Sequence, residues 1–229
     1  MTFKDRYGPW AVIAGASEGT GAAFARRIAA QGIHCILLAR RRDPLDQLAA
    51  ALRDETCVDC LTASVDLADR DASARIAEIV GSRDVGLFVA NAGSDPHGSL
   101  FLDRSADDWV ELAQRNVLTT IRCCHHFAVP MRARGKGGVL LVNSGACYGG
   151  GSFMSVYSGS KAFELLAAQK LVALRTVRLR DDRNVEHLAA NLFEQARCRC
   201  ADHFDQHLRM QVGIVPQQRR QKGVRVTGW

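Results

Sequence analysis

Residues 10–32 constrain this chain more than any other stretch. Trp10-Ala11-Val12-Ile13-Ala14 is a short apolar run that predicts a buried strand. It passes directly into Gly15-Ala16-Ser17-Glu18-Gly19-Thr20-Gly21. An Ala-rich amphipathic helix is expected next, from about Thr20 to Gln31, with Gly32 as its stop. Strand, glycine turn and helix in that order make a dinucleotide site. The glycines permit a tight turn and close backbone approach, and the helix N-terminus faces a pyrophosphate. The spacing is G-x-x-x-G-x-G, not the more familiar G-x-G-x-x-G.

The same alternation continues. His34 to Ala39 predicts a second strand, and it ends in Arg40-Arg41-Arg42. An acidic residue near this strand end would hold the ribose hydroxyls of NAD. Arginines stand there instead, and their forked donors match a phosphate, which favours NADP(H). Asp43 to Asp54 predicts a helix with Leu45, Leu48 and Leu52 at helical spacing. A third strand is expected over Cys60–Val65, running into Asp66-Leu67, then a helix from Asp69 to about Ser82. Val85 to Ala90 predicts a fourth strand, followed by Asn91-Ala92-Gly93. Strand ends of this kind gather at the carboxyl edge of a parallel sheet, where ligands bind. Ser105 to about Arg134 reads as one long helix, with Ser105 as N-cap and Asp107 and Asp108 suited to its first turn. Asn116 lies in its middle, where its poor helix propensity asks for a reason.

Val139-Leu140-Leu141-Val142 predicts a further buried strand, with Ser144 just beyond it. The segment from Ser144 to Lys161 then carries Tyr157 and Lys161 four residues apart, so in a helix they share one face. A nearby ammonium favours the charged form of a phenol, which suits a general acid for an alkoxide. A hydroxyl at a strand end, such as Ser144, can hold a carbonyl oxygen within that acid's reach.

The 229 residues suffice for one substantial α/β domain. No apolar run approaches the roughly 20 residues that span a bilayer, and MTFKDRYGPW lacks a signal-peptide core, so a cytoplasmic protein is expected. The eight cysteines are then expected to be reduced. Cys57/Cys60, Cys123/Cys124 and Cys198/Cys200 fall in different elements, so no metal site is expected. Net charge is +6, and all of the excess lies late: residues 1–169 hold 18 basic and 18 acidic side chains, residues 170–229 hold 12 and 6. The basic tail lacks aromatic interleaving, and nucleic-acid binding is not expected.

Taken in order, AGASEGTG at 14–21, Asp66, NAG at 91–93, Asn116, Ser144 and YSGSK at 157–161 resemble the short-chain dehydrogenase/reductase family, over about residues 8–168. The resemblance implies a doubly wound Rossmann domain with a parallel sheet. It implies that Gly15, Gly19 and Gly21 line the pyrophosphate, that Asp66 contacts the adenine and that Asn91 packs near the ribose. With Ser17, Thr20, Arg40, Arg41, Leu67, Ala92, Gly93, Tyr157 and Lys161, these form the candidate cofactor set. It also implies a catalytic tetrad of Asn116, Ser144, Tyr157 and Lys161, acting in NADPH-dependent reduction of a ketone or aldehyde, or the reverse. Tyr157 would donate the proton and Ser144 position the carbonyl. Lys161 would serve the tyrosine and the ribose, and Asn116 would hold a water in the proton path. A homo-oligomer through the long helices is expected. Ala14 departs from the family's threonine, removing a hydroxyl that ties the turn to the neighbouring strand, and Thr20 replaces a usual apolar residue.

The resemblance stops near residue 168. No sixth strand followed by Pro-Gly is found after Leu166, and Val185, Leu188, Ala189, Leu192 and Phe193 suggest a helix instead. The expected organisation is therefore a Rossmann NADP(H)-binding and catalytic domain over 1–168 and an atypical basic tail over 169–229, partly helical and partly disordered. Such an abrupt change of pattern and charge is what a changed reading frame or recombined 3′ end would produce. The fifth strand is then expected to be an exposed edge, with an impaired or non-catalytic protein as the alternative outcome.

Overall fold

A computed structural model of the chain describes residues 2–173 and 210–214, with side chains described through residue 168. The strands are β1 (Trp10–Ala14), β2 (His34–Ala39), β3 (Cys60–Ser64), β4 (Val85–Ala90), β5 (Gly138–Val142) and β6 (Met210–Ile214). They form one sheet in the order β3-β2-β1-β4-β5-β6. The first five are parallel. The helices are α1 (Phe3–Tyr7), α2 (Gly19–Ala29), α3 (Arg42–Thr56), α4 (Ala72–Val80), α5 (Ala106–Ala113), α6 (Thr119–Arg134) and α7 (Ser155–Ala173). This is a doubly wound Rossmann-like sheet. Because β1 pairs with both β2 and β4, the strand order reverses there, and the crevice at that point is where such sheets bind ligands.

The alternation of side chains along β1 shows why both faces must be covered. Ala11 and Ile13 pack in one layer with Phe24 and Ile28 of α2 and Leu45 and Leu52 of α3. Val12 and Ala14 pack in the other with Ile76 and Val80 of α4 and Phe127 and Met131 of α6. Every residue of β4 and β5 is buried, as their continuous apolar runs require. Each large aliphatic or aromatic side chain so buried contributes about 1.5–3 kcal/mol.

Two expectations are corrected. The long helix over Ser105–Arg134 is not continuous: Ser105 caps α5 in a capping box with Asp108, but Gln114–Leu118 form a π turn between α5 and α6. The fifth strand is not a bare edge either. Met210–Ile214 lies antiparallel beside it, with Leu140 opposite Val212. A short segment (Met-Gln-Val-Gly-Ile) deep in the basic tail supplies backbone partners where a sixth strand was sought soon after Leu166. The helix suggested around Val185–Phe193, and the disorder expected of the tail, lie outside the described residues. The short α1 was not expected; Thr2 and Asp5 close its N-terminus with a reciprocal capping box.

Candidate active site and nucleotide cleft

The turn after β1 brings three backbone surfaces into contact. Gly15 has φ +81°, and a Cβ there would lie 2.8 Å from the Ala92 backbone. A Cβ on Gly21 would lie 1.9 Å from the Gly15 carbonyl oxygen and 2.7 Å from Asn91 Nδ2. Asn91 Nδ2 donates to that same carbonyl at 2.9 Å. The backbone N–H groups of Asn91 and Ala92 donate to Ala14 O at 3.2 and 2.9 Å. The turn is thus tied to β4 by main-chain bonds and an asparagine, although Ala14 offers no hydroxyl.

Beyond these strand ends opens a cleft of about 480 Å³. Of the residues expected to hold a cofactor, Gly15, Ser17, Arg40, Arg41, Asp66, Leu67, Asn91, Ala92 and Gly93 line it. Gly19 and Thr20 instead open the first turn of α2, and Gly21 is buried against Gly15. The cleft also takes in Glu18, Ser94 and Arg115, which sequence reasoning missed. Asp66 Oδ1 accepts from Ala68 N–H at 2.9 Å, which fixes the carboxylate at the end of β3. No group of three or more metal-ligating side chains occurs among the described residues, and none of their helices is long and apolar enough to cross a membrane.

Tyr157 and Lys161 do not line this cleft; they lie beside it. Gly93 is the link, since a Cβ there would sit 2.8 Å from Lys161 Nζ and 3.6 Å from Asn116 Oδ1. The absence of a side chain at Gly93 thus leaves room for the lysine tip at the cleft wall. Lys161 Nζ lies 5.8 Å from the Tyr157 ring centre. It donates to Val142 O at 3.1 Å and to Glu164 Oε2 at 2.8 Å. Lysine and glutamate are only 3% and 2% exposed. Burial pushes the Glu164 carboxyl above its usual range, while Lys161 beside it pulls the other way. Glu164 was missed in the sequence, although a lone carboxylate in Ala162-Phe163-Glu164-Leu165-Leu166, three residues past the lysine, was the available signal.

The π turn accounts for Asn116. One extra residue per turn lets the side chain turn inward, and it is fully buried. Its Nδ2 donates to Ser94 O at 3.3 Å and to Ser160 Oγ at 3.4 Å, but its Oδ1 has no partner. Ser160 in turn donates to Tyr157 O at 2.7 Å. Ser144, 8% exposed, caps the short 3₁₀ turn Gly145–Tyr148, which packs on α7. Its Oγ accepts from Ala146 N–H at 3.3 Å, and its own N–H donates to Asn143 Oδ1 at 2.7 Å. The four expected catalytic residues thus come from three elements: the π turn, the end of β5 and α7. A cradle closed by glycine contacts and a buried carbonyl without a partner are features that a nucleotide and its water would satisfy.

Comparison with known proteins bears on the family and the fold. The family model described as short chain dehydrogenase matches residues 9–173. A very-long-chain 3-oxoacyl-CoA reductase of Laccaria bicolor is 32% identical over 189 residues, covering 81% of this chain and 55% of its own. An inactive hydroxysteroid dehydrogenase-like protein 1 of Rattus norvegicus is 30% identical over 160 residues, covering 69% of this chain and 48% of its own. This chain therefore spans about half the length of these two relatives. A short-chain dehydrogenase from Sphingobium yanoikuyae, solved with NADPH, superposes with a TM-score of 0.68 at 31% identity, over 73% of this chain and 65% of that one. With a matching family model over most of its length, on a doubly wound sheet, this chain belongs to the short chain dehydrogenase family.

Proposed function

We propose that this protein is an NADPH-dependent oxidoreductase that reduces a ketone or aldehyde to an alcohol, or runs the reverse reaction. The observation that carries this reading is the approach of Lys161 and Asn116 to Gly93, in the wall of the cleft that Arg40, Arg41 and Asp66 line, with the Lys161 ammonium 5.8 Å from the Tyr157 ring centre. A nicotinamide cofactor, when bound, supplies the hydride. Tyr157 gives its phenolic proton to the carbonyl oxygen of the substrate as that oxygen gains charge. Lys161, held by Glu164 and Val142 O, keeps an ammonium beside the phenol and has a third donor for a ribose hydroxyl. Ser144 holds the substrate oxygen at the end of β5. Asn116 offers its unpartnered Oδ1 to a water that resupplies the proton. Arg40, next to Arg41 at the end of β2, takes the 2′-phosphate, and one such charge-assisted bond is worth about 1.5–3 kcal/mol, or roughly tenfold or more in affinity over NADH.

A second reading is a nucleotide-binding member without turnover. Its support is the similarity to a relative named inactive. Leu118, Ile121 and Val129 are exposed apolar side chains at the start of and along α6, and the oligomer is proposed to assemble through this helix. The deciding experiment is NADPH oxidation with folded protein over ketones and aldehydes, including 3-oxoacyl thioesters and ketosteroids. Turnover that Tyr157→Phe abolishes while NADPH still binds is the expected result. Turnover by Tyr157→Phe at the native rate refutes the proton-donor role, and NADPH binding with no turnover on any carbonyl favours the second reading.

A further inference from the structure

The cleft carries one charge that a phosphate site does not call for. Glu18, the residue before the second glycine of the turn, places Oε1 2.6 Å from Arg41 Nη2. Both residues line the cleft. Glu18 is the N-cap residue of α2, yet its side chain makes no cap hydrogen bond, so its carboxylate serves the arginine and not the helix. The pair ties the β1–α2 turn to the β2–α3 junction. Arg40, the neighbouring cation, has no ion pair among the described residues, and only its carbonyl is engaged, by Ser64 Oγ.

Resting on the nucleotide reading above, we propose that Glu18 is a specificity-determining residue: its carboxylate occupies the Arg41 fork where a phosphate would sit. Arg40 is then the arginine open to a 2′-phosphate, and Arg41 becomes available only when Glu18 is displaced. The pair is exposed, 57% at Arg41 and 74% at Glu18, so it is weak and a dianion can break it. Displacement nevertheless burdens only ligands that carry the extra phosphate. Repulsion between Glu18 and the pyrophosphate, by contrast, is shared by NADPH and NADH and cancels in their ratio.

The test measures dissociation constants of NADPH and NADH for the native protein, Glu18→Gln, Arg41→Ala and the double variant. Glu18→Gln is expected to raise the preference for NADPH about two- to fivefold. Arg41→Ala is expected to change that preference little in the native background and to erase the gain in the Gln background, a non-additivity that direct coupling demands. The gain is also expected to shrink at high salt. A ratio that Glu18→Gln leaves unchanged, or strictly additive effects, overturns the proposal for Glu18 alone. Failure of all four proteins to bind either nucleotide overturns the cleft assignment and this proposal together.

Discussion

Replacing Gly21 with alanine should separate the nucleotide turn from the rest of the fold. The added Cβ would sit 1.9 Å from the Gly15 carbonyl oxygen, a backbone atom. An ordinary carbon–oxygen contact is roughly 3.3 Å, so the start of α2 and the turn must separate by roughly 1.4 Å. The same carbonyl accepts from Asn91, so the hydrogen bond at 2.9 Å is strained or lost. Overpacking of this kind costs about 1–3 kcal/mol, and the lost bond adds about 1 kcal/mol. The expected destabilisation is therefore about 2–4 kcal/mol, a fall in Tm of several degrees. If the turn and the first turn of α2 face the pyrophosphate as proposed, NADPH affinity is expected to fall by about a hundredfold even in protein that remains folded. Thermal unfolding monitored by circular dichroism and titration calorimetry read the two effects. Gly149→Ala serves as the control, since a Cβ there meets nothing within 4 Å. Native NADPH affinity in Gly21→Ala would refute the reasoning, because the close approach would then have no function in the site.

Other substitutions probe the neighbouring elements. In Lys161→Met, Glu164 loses the ammonium that lowers its pKa, and burial alone acts on it, in the raising direction. A carboxyl whose folded pKa is raised is stabilising below its unfolded value and loses that stability as pH climbs through the folded one. The urea midpoint of Lys161→Met should accordingly fall as pH rises from the ordinary value of 4.5, and a flat profile argues against a buried carboxyl. Gly159→Ala, on the exposed side of α7 where a Cβ meets nothing within 4 Å, should raise stability by about 1 kcal/mol, read as a higher Tm. Burial pushes the thiols of Cys123 and Cys124 up to about 12, whereas Cys57 is exposed. Alkylation at pH 8 followed by mass spectrometry should find Cys57 modified before Cys123 and Cys124, and early labelling of Cys123 would contradict the packing of α6.

Much of this protein was written in local pattern. Apolar runs bounded by glycine and polar residues set β1, β2 and β4 at their observed ends, because a strand buried on both faces has no polar positions to blur it. The glycine spacing placed the nucleotide turn, since a Cβ at Gly15 or Gly21 has no room. Tyr157 and Lys161 share a face simply because they are four apart in α7. What lay beyond pattern depended on contacts distant in sequence. The π turn at Asn116 has no propensity signature; its inward rotation is recorded by the bonds to Ser94 and Ser160, the latter 44 residues away. Glu164 reads as a misplaced charge in an apolar helix until Lys161 and the carbonyl of Val142 are brought beside it. Glu18 reads as a turn residue until β2 delivers Arg41. The partner of β5 was missed because antiparallel pairing requires only an extended backbone in reach, and the Met210–Ile214 segment stands far from β5 in the chain. Sequence determined the central elements and nominated the side chains for chemistry; the tertiary structure decided which charges meet, because an ion pair depends on distance in space and sequence fixes distance only along the chain.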